Sequence, residues 1–424
     1  MSRFEKVVTL GALVLLLGLG GFLSGYFYRH NNVWPTSQLV ILERQWNFYR
    51  NHGAWARLGL YIPADVTAQA PRARVLRPED FIPGYRMIMG YDSDLEIYSL
   101  RLLDSRANQI HVWRLDYREI RPDHDPGGAI NPHGLEVFPD GSVVVNFAAG
   151  TEAFTRLNSC GTPMWMLTDG RYHHSVHLDE DGLLWTWFSP NEIERQLENI
   201  VAVDAENGEV RRKIAMREIA AVSRRNAVPL AIPEGHVISR RRELPPDMLP
   251  DIHHPNDVEP LSTGMAAAFP MFEPGDLLIS LRNINYVGVL DPDTLELKWG
   301  RNGPWERQHD PDFTEDGQII VYNNNSLRGR SDILSIDPAT DEVTRVFTSE
   351  GSDFYSGTQG KHQKLPNGNY LITVPAEGRV IELNSNGDLV FEYTNTVQDG
   401  LTARTLNAFW VPEEFFTETP TCPG

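Results

Sequence analysis

The sequence predicts an all-β fold, a six-bladed β-propeller behind an N-terminal transmembrane helix, and three observations predict it. A strand ending in Asp or Asn, a small polar turn and a second strand recur six times, opening at Asp104, Asn158, Asp204, Asp291, Asp337 and Asn384 with spacings of 54, 46, 87, 46 and 47. A histidine, a short apolar strand and an acidic or Asn-containing Gly turn precede most copies, as in His133-GLEVFPDG and His174-SVHLDEDG. Strand, turn, strand, loop, strand, turn, strand at a period near 46 is one four-stranded blade. The third observation is a run of 21 residues, 7–27, without a charge.

That run is long enough, at about 1.5 Å per residue, to cross a hydrocarbon core of about 30 Å. Arg3 and Lys6 flank it on one side and Tyr26, Tyr28 and Arg29 on the other, so residues 1–30 read as an uncleaved anchor. A cleaved signal peptide is the competing reading, but no A-x-A-like site follows. Flanking charges do not set the orientation, since Arg3 and Lys6 face Arg29 and Arg44. Residues 31–82 read as a helical spacer, from the capped stretch TSQLVILERQWNFYRNHG. The propeller then runs over 83–416, with an insertion at about 214–250 of helical, Arg-rich character that explains the long interval, and 417–424 form a tail.

The first unit lacks a first strand, whereas TLNAFWVPEEF at Thr405–Phe415 is a strand without a blade. The C-terminal strand is therefore expected to become the innermost strand of blade one and close the ring, removing free sheet edges. Cys160 falls in a lower turn of blade two and Cys422 just beyond the closing strand. A disulfide there and two free thiols are both open readings.

Composition narrows the function. With 38 Lys+Arg against 57 Asp+Glu and a net charge of −19, the chain would repel nucleic acid. Two cysteines exclude a disulfide scaffold and a Cys-rich zinc site. His133, His174, His254, His309 and His362 each start a first strand, so they are expected to ring the upper mouth of the channel, beside Arg282 and Asn323 to Asn325. Of His173/His174 and His253/His254, strand alternation sends only one of each pair inward. Protonated, such a mouth would be cationic and attract an anion. Asp251, Asp257, Asp310 and Asp312 offer carboxylates for a metal, but no local His spacing supports one, and neither metal nor cofactor is assigned.

The segments NPHGLEVFPDGSVVVNF, YHHSVHLDEDG, DIHHPNDVEPL, GDLLISLRNINYVGVLDPDTLELKW, GPWERQHDPDFTEDGQIIVYNN and GKHQKLPNGNYLITV resemble the bacterial arylsulfotransferases that do not use the nucleotide sulfate donor, from about Gly84 to Phe415. The resemblance implies a six-bladed propeller and ping-pong transfer of a sulfuryl group from an aryl sulfate to a phenol through a sulfohistidine, on the periplasmic side. It implies His309 as nucleophile, His254 and Asn256 as the His-x-Asn element, Arg282 as the sulfate-binding arginine and His174 as a further channel histidine. His133 and His362 take no role from it; they are placed with the substrate-binding residues, and orienting the acceptor and merely packing are both open readings for them. The resemblance gives no oligomeric state, and where its best-understood members carry a sizeable extra N-terminal domain, about 50 residues are expected between the anchor and the first blade. Two alternatives stand beside this reading: a propeller that binds an anionic ligand or sulfated or carboxylated glycan without chemistry, and a metal-dependent hydrolase at the same mouth.

Overall fold

The computed structural model describes residues 16–25, 60–124, 130–147, 153–190, 198–225, 230, 238–239, 242–243, 251–326, 328–347 and 354–422. The chain divides into two units, Met1–Pro63 and Ala64–Gly424. In the first, residues 16–25 are helical, with Leu16, Leu17, Leu19, Phe22 and Leu23 exposed. No helix among the described residues is long and apolar enough to cross a membrane, so the transmembrane expectation has no support in the fold. The rest of the apolar run and the stretch expected to be helical from Thr36 to Gly53 lie outside the described residues.

Among the described residues the second unit holds six antiparallel blades in chain order, five of four strands and one of five, with the first strands of blades two to six and then one in successive contact. Blade two is Pro132–Val137, Val143–Phe147, Phe154–Leu157 and Pro163–Leu167, and blade three is Arg171–Leu178, Leu183–Ser189, Asn199–Asp204 and Val210–Ala215. Blade four is Pro255–Pro260, Leu277–Leu281, Tyr286–Leu290 and Leu297–Asn302, and blade five His309–Phe313, Ile319–Asn323, Asp332–Asp337 and Glu342–Arg345. Blade six is Lys361–Lys364, Tyr370–Val374, Arg379–Leu383 and Leu389–Thr394. The strand Ala73–Val75, within the stretch read as a spacer, pairs with Leu389–Thr394 as a fifth. Blade one takes its first strand from the C-terminus: Thr405–Val411 pairs with Tyr85–Asp92, which continues to Ile97–Leu103 and Gln109–Leu115.

Burial explains the texture of the strands. Second strands such as LLISL and IIVYN are covered on both faces and buried throughout, so they read as unbroken apolar runs rather than alternations. Fourth strands such as VRRKIA and EVTR lie outermost and are mostly exposed. All six turn-opening residues do the same work: Asp104, Asn158, Asp204, Asp291, Asp337 and Asn384 accept backbone N–H bonds from the residues that follow, at 2.8 to 3.3 Å. These are Asx turns, and they fix each hairpin locally.

Innermost strands leave N–H groups without a ladder partner, and the neighbouring blade supplies acceptors. Leu178 donates to Glu136, Val258 to Ser175 and Phe313 to Glu259, at 3.1, 2.9 and 3.0 Å. His362 donates to Asp310 at 2.5 Å and Trp410 to Gln363 at 2.6 Å. The junction of blades one and two is held differently, by Trp113 Nε1 on the Gly141 carbonyl at 2.9 Å and by a disulfide between Cys160 and Cys422. The insertion begins with a helix, Met216–Arg225, that sends Met216, Ile219 and Ala220 into the apolar cluster between blades three and four.

Candidate active site

The first strands of blades two to five each skip a step in their ladder, at Pro132/Leu135, His173/Val176, Pro255/Asp257 and His309/Asp312. Such bulges insert a residue and re-aim the side chains around it. His174, His254 and Asp310 take positive φ angles of 63°, 47° and 52° there, in the left-handed region that non-glycine residues rarely visit. Backbone strain of order 1–3 kcal/mol per residue is thus gathered at one point of the channel.

Four of the five predicted histidines meet at that point. The rings of His133 and His174 are 4.2 Å apart and those of His174 and His254 5.0 Å. His133, His174, Asn256 and His309 line one small cavity of about 20 Å³, together with Gln359, Asp257, Asp310 and Lys361. Arg282 borders the same group, since its backbone N–H bonds the His254 carbonyl at 3.1 Å and its charge disfavours protonation of His254 and His309. His362 does not join them. The first strand of blade six has no bulge, and His362 lies below, lining a separate cavity of about 720 Å³.

Hydrogen bonds set the state of His309. Asn324 gives its amide N–H groups to the carbonyls of Ser356 and Gln359, at 2.7 and 2.6 Å, so its Oδ1 faces His309 Nδ1 at 2.6 Å and must accept from it. The proton is therefore on Nδ1, and Nε2 keeps a lone pair, which accepts the Gln359 N–H at 3.2 Å. Burial pushes the His309 pKa down to about 3, helped by Arg282, His254 and His133 against the Asn324 bond. A neutral imidazole with a defined basic nitrogen is the form a nucleophile requires.

The same reasoning orders His174. Glu198 Oε2 lies 2.8 Å from His173 Nε2 and accepts from it, and His173 Nδ1 lies 2.6 Å from His174 Nδ1. With a neutral His173, its Nδ1 accepts from His174 and the Nε2 of His174 is the basic nitrogen. Strand alternation would have separated this histidine pair, but the bulge and the left-handed turn of His174 bring the two rings together. His173 and Glu198 were thus missed from sequence, because their role depends on the bulge.

The mouth is not a cluster of imidazolium ions. Burial lowers the pKa of His133, His174 and His254, and their mutual proximity adds to it for the first two. Positive charge comes instead from Arg282, Arg171 and Lys361, whose charges disfavour protonation of these histidines; burial and Arg307 lower the Arg282 pKa to about 10, so it remains charged at neutral pH. Asn256 gives one amide N–H to the Gln308 carbonyl at 2.7 Å, and His254 Nδ1 is paired with Asp251.

Below lies a second layer that the sequence reading did not separate from the first. Three residues after four of the mouth histidines stand Glu136, His177, Asp257 and Asp312, a spacing that could have shown it. Among the described residues one group, Asp310, Asp312 and His362, brings three metal-ligand atoms within 4.8 Å. These residues answer one another: His362 Nδ1 lies 2.9 Å from Asp310 and 3.2 Å from Asp312, and the two carboxylates outweigh burial to push its pKa up to about 10. A protonated imidazole held between two carboxylates is what this set makes with its own charges.

Comparison with known proteins now bears on the geometry. The arylsulfotransferase (ASST) family model matches residues 134–396, more than half of the chain and blades two to six. No curated protein matches it. Similar solved structures include a protein of unknown function from Bacteroides caccae, at 12% identity over 76% of this chain and 99% of that one with a TM-score of 0.48. Hydrazine synthase of Kuenenia stuttgartiensis is 14% identical over 78% and 80%, with a TM-score of 0.43. Virginiamycin B lyase of Staphylococcus aureus is 12% identical over 64% and 72%, with a TM-score of 0.38. The match of more than half the chain to one family model identifies the protein as a member of the arylsulfotransferase (ASST) family.

Proposed function

We propose that the protein moves a sulfuryl group from an aryl sulfate to a phenolic acceptor by a ping-pong route through a sulfohistidine on His309. Family membership carries the enzyme class, an arylsulfotransferase-like activity independent of the nucleotide sulfate donor and acting on small molecules. The observation that carries the mechanism is the tautomer lock: Asn324 holds the Nδ1 proton and leaves Nε2 of a neutral His309 basic beside Arg282, His254 and Asn256.

In the first half-reaction Nε2 attacks sulfur, the S–O bond to the aryl group breaks and the phenolate leaves with the electron pair. Arg282 and Asn256 donate to the sulfuryl oxygens, where fixed donors in a water-poor site act most strongly, and His254, whose Nδ1 is held by Asp251, joins them from Nε2 only when it is protonated. In the second half-reaction His174 Nε2 takes the acceptor's phenolic proton, the phenolate oxygen attacks sulfur and the N–S bond breaks. The Glu198–His173–His174 chain supports His174 as that base by fixing which nitrogen is free.

The uncharged run at 7–27 supports attachment to a membrane through the N-terminus. The Cys160–Cys422 disulfide supports a propeller on the oxidising, extracytoplasmic side. Intact-protein mass after incubation with 4-nitrophenyl sulfate tests the reaction: the wild type gains one sulfuryl group and His309→Ala gains none while still folding. A wild type that neither turns over a panel of aryl sulfates nor gains that mass would refute the transfer and leave a propeller that binds anions without chemistry.

A further inference from the structure

Among the residues lining the small cavity the cationic side chain is Lys361, which is not one of the mouth residues read from the sequence. Lys361 opens the first strand of blade six, near the point where blades two to five place their mouth histidines, and the lack of a bulge there turns Lys361 rather than His362 toward that cavity. Its Nζ is paired with Asp310 and lies 3.2 Å from Asp257 Oδ2, both carboxylates being buried. An ammonium has three N–H donors, and two are used. The third is free to reach the cavity that His133, His174, Asn256 and His309 line with it.

Charge balance supports an active role rather than a filler. Asp310 also accepts from His362, and Asp257 faces His177 at 3.3 Å. Both carboxylates thus have a second cationic partner, and Lys361 is not their only neutralising group. The cavity's size decides what the third donor can meet. About 20 Å³ takes a group near the size of one water molecule, such as a sulfuryl oxygen, and excludes an aromatic ring. Lys361 also lines the large lower cavity, so it stands at the partition between the two.

We infer that Lys361 is a further catalytic residue: its ammonium, clamped by Asp257 and Asp310, donates its third N–H to an oxygen of the sulfuryl group while that group is bound to, and transferred through, His309. The inference rests on the sulfuryl-transfer reading for its catalytic half, whereas anion binding at the cavity floor does not.

Two measurements separate these halves. Binding of inorganic sulfate to the full-length protein by calorimetry reads the floor directly. Single-turnover sulfation of His309 by 4-nitrophenyl sulfate reads the transfer. Lys361→Met is expected to weaken sulfate binding at least 10-fold and to slow sulfation by roughly 10²- to 10³-fold, the range for loss of one fixed oxyanion donor. Lys361→Arg should recover part of both. Because Lys361→Met leaves two carboxylates with fewer partners, the double variant Asp257→Asn/Lys361→Met keeps the local charge balance without the ammonium. It should fold and remain slow. If the double variant regains wild-type sulfation and sulfate affinity, Lys361 merely neutralises Asp257 and the inference is overturned. Wild-type sulfate affinity in Lys361→Met overturns it as well. A wild type that binds sulfate through Lys361 but is never sulfated refutes the transfer reading and leaves the anion site standing.

Discussion

Asn324 decides at the scale of one residue what His309 can do. Its amide is fixed from both ends, by two carbonyls on one side and the imidazole on the other, so no rotation can offer Nδ1 a donor instead. Asn324→Ala removes the acceptor for the Nδ1 proton, and the imidazole loses its preference between tautomers. Single-turnover sulfation of His309 should fall roughly 10²- to 10⁴-fold, as when the group orienting a catalytic histidine is removed. Asn324→Asp should instead raise the His309 pKa, because a carboxylate favours the imidazolium. The pH profile of sulfation would then acquire an acid limb near neutrality that the wild type, with a pKa near 3, does not show in that range. Some of this was legible: a histidine in QHDPDF, an arginine in SLRN and three asparagines in one loop. Which asparagine faces the ring was not, since that depends on carbonyls contributed by residues 356 and 359 of the next blade.

Elements carry the next decision, through the edge between neighbouring blades. A strand's residue types state that it pairs on one side, yet an innermost strand also has an inward edge whose N–H groups need acceptors. Ser175 serves Val258 in this way, buried and at 2.9 Å. Ser175→Ala leaves that N–H without a partner, at a cost of about 1–3 kcal/mol. Chemical denaturation should report that loss with little change in the slope. Periodicity alone placed the strands and, through Asp and Asn at fixed positions, the hairpin turns. The bulges were not legible, and they govern the site: strand alternation sends His173 and His174 to opposite faces, while the bulge bonds one to the other. For the same reason His362 was expected in the ring of histidines, when the unbulged first strand of blade six presents Lys361.

The whole molecule closes on its C-terminus. Removing residues after Ala403 deletes the strand Thr405–Val411, exposes the edge of Tyr85–Asp92 and discards the Cys160–Cys422 link. Such a truncation should abolish the cooperative thermal transition of the whole body rather than trim a tail, as calorimetry would show. Charge sets a second property of the whole. The mouth histidines are buried with lowered pKa values, His309 at about 3 against 6.5 unfolded, so the unfolded chain binds more protons in that window. Their contribution to stability is complete above about pH 6.5 and is lost as pH falls toward 3. His177 and His362 act in the opposite sense, with pKa values raised to about 9 and about 10 by their carboxylate partners. Their contribution is complete below about pH 6.5 and is lost as pH rises through 9 to 10. Melting temperature against pH should therefore peak near pH 6.5, falling below it toward pH 3 and above it until pH 9 to 10, and His362→Leu should reduce the alkaline fall.

The sequence by itself determined the number of blades, their hairpin turns, the C-terminal closure and part of the set around His309, namely His133, His174, His254, Asn256 and Arg282. Those are local facts, written in a period near 46, in turn chemistry that acts within five residues, and in a strand left without a blade. Tertiary structure alone decided which nitrogen of His309 is basic, that the histidines of the mouth are neutral, that Lys361 stands where His362 was expected, and that two cysteines 262 residues apart are joined. The physical reason is common to all four: protonation, side-chain direction and disulfide pairing depend on burial and on partners brought from other blades, and neither is a property of a residue's own segment.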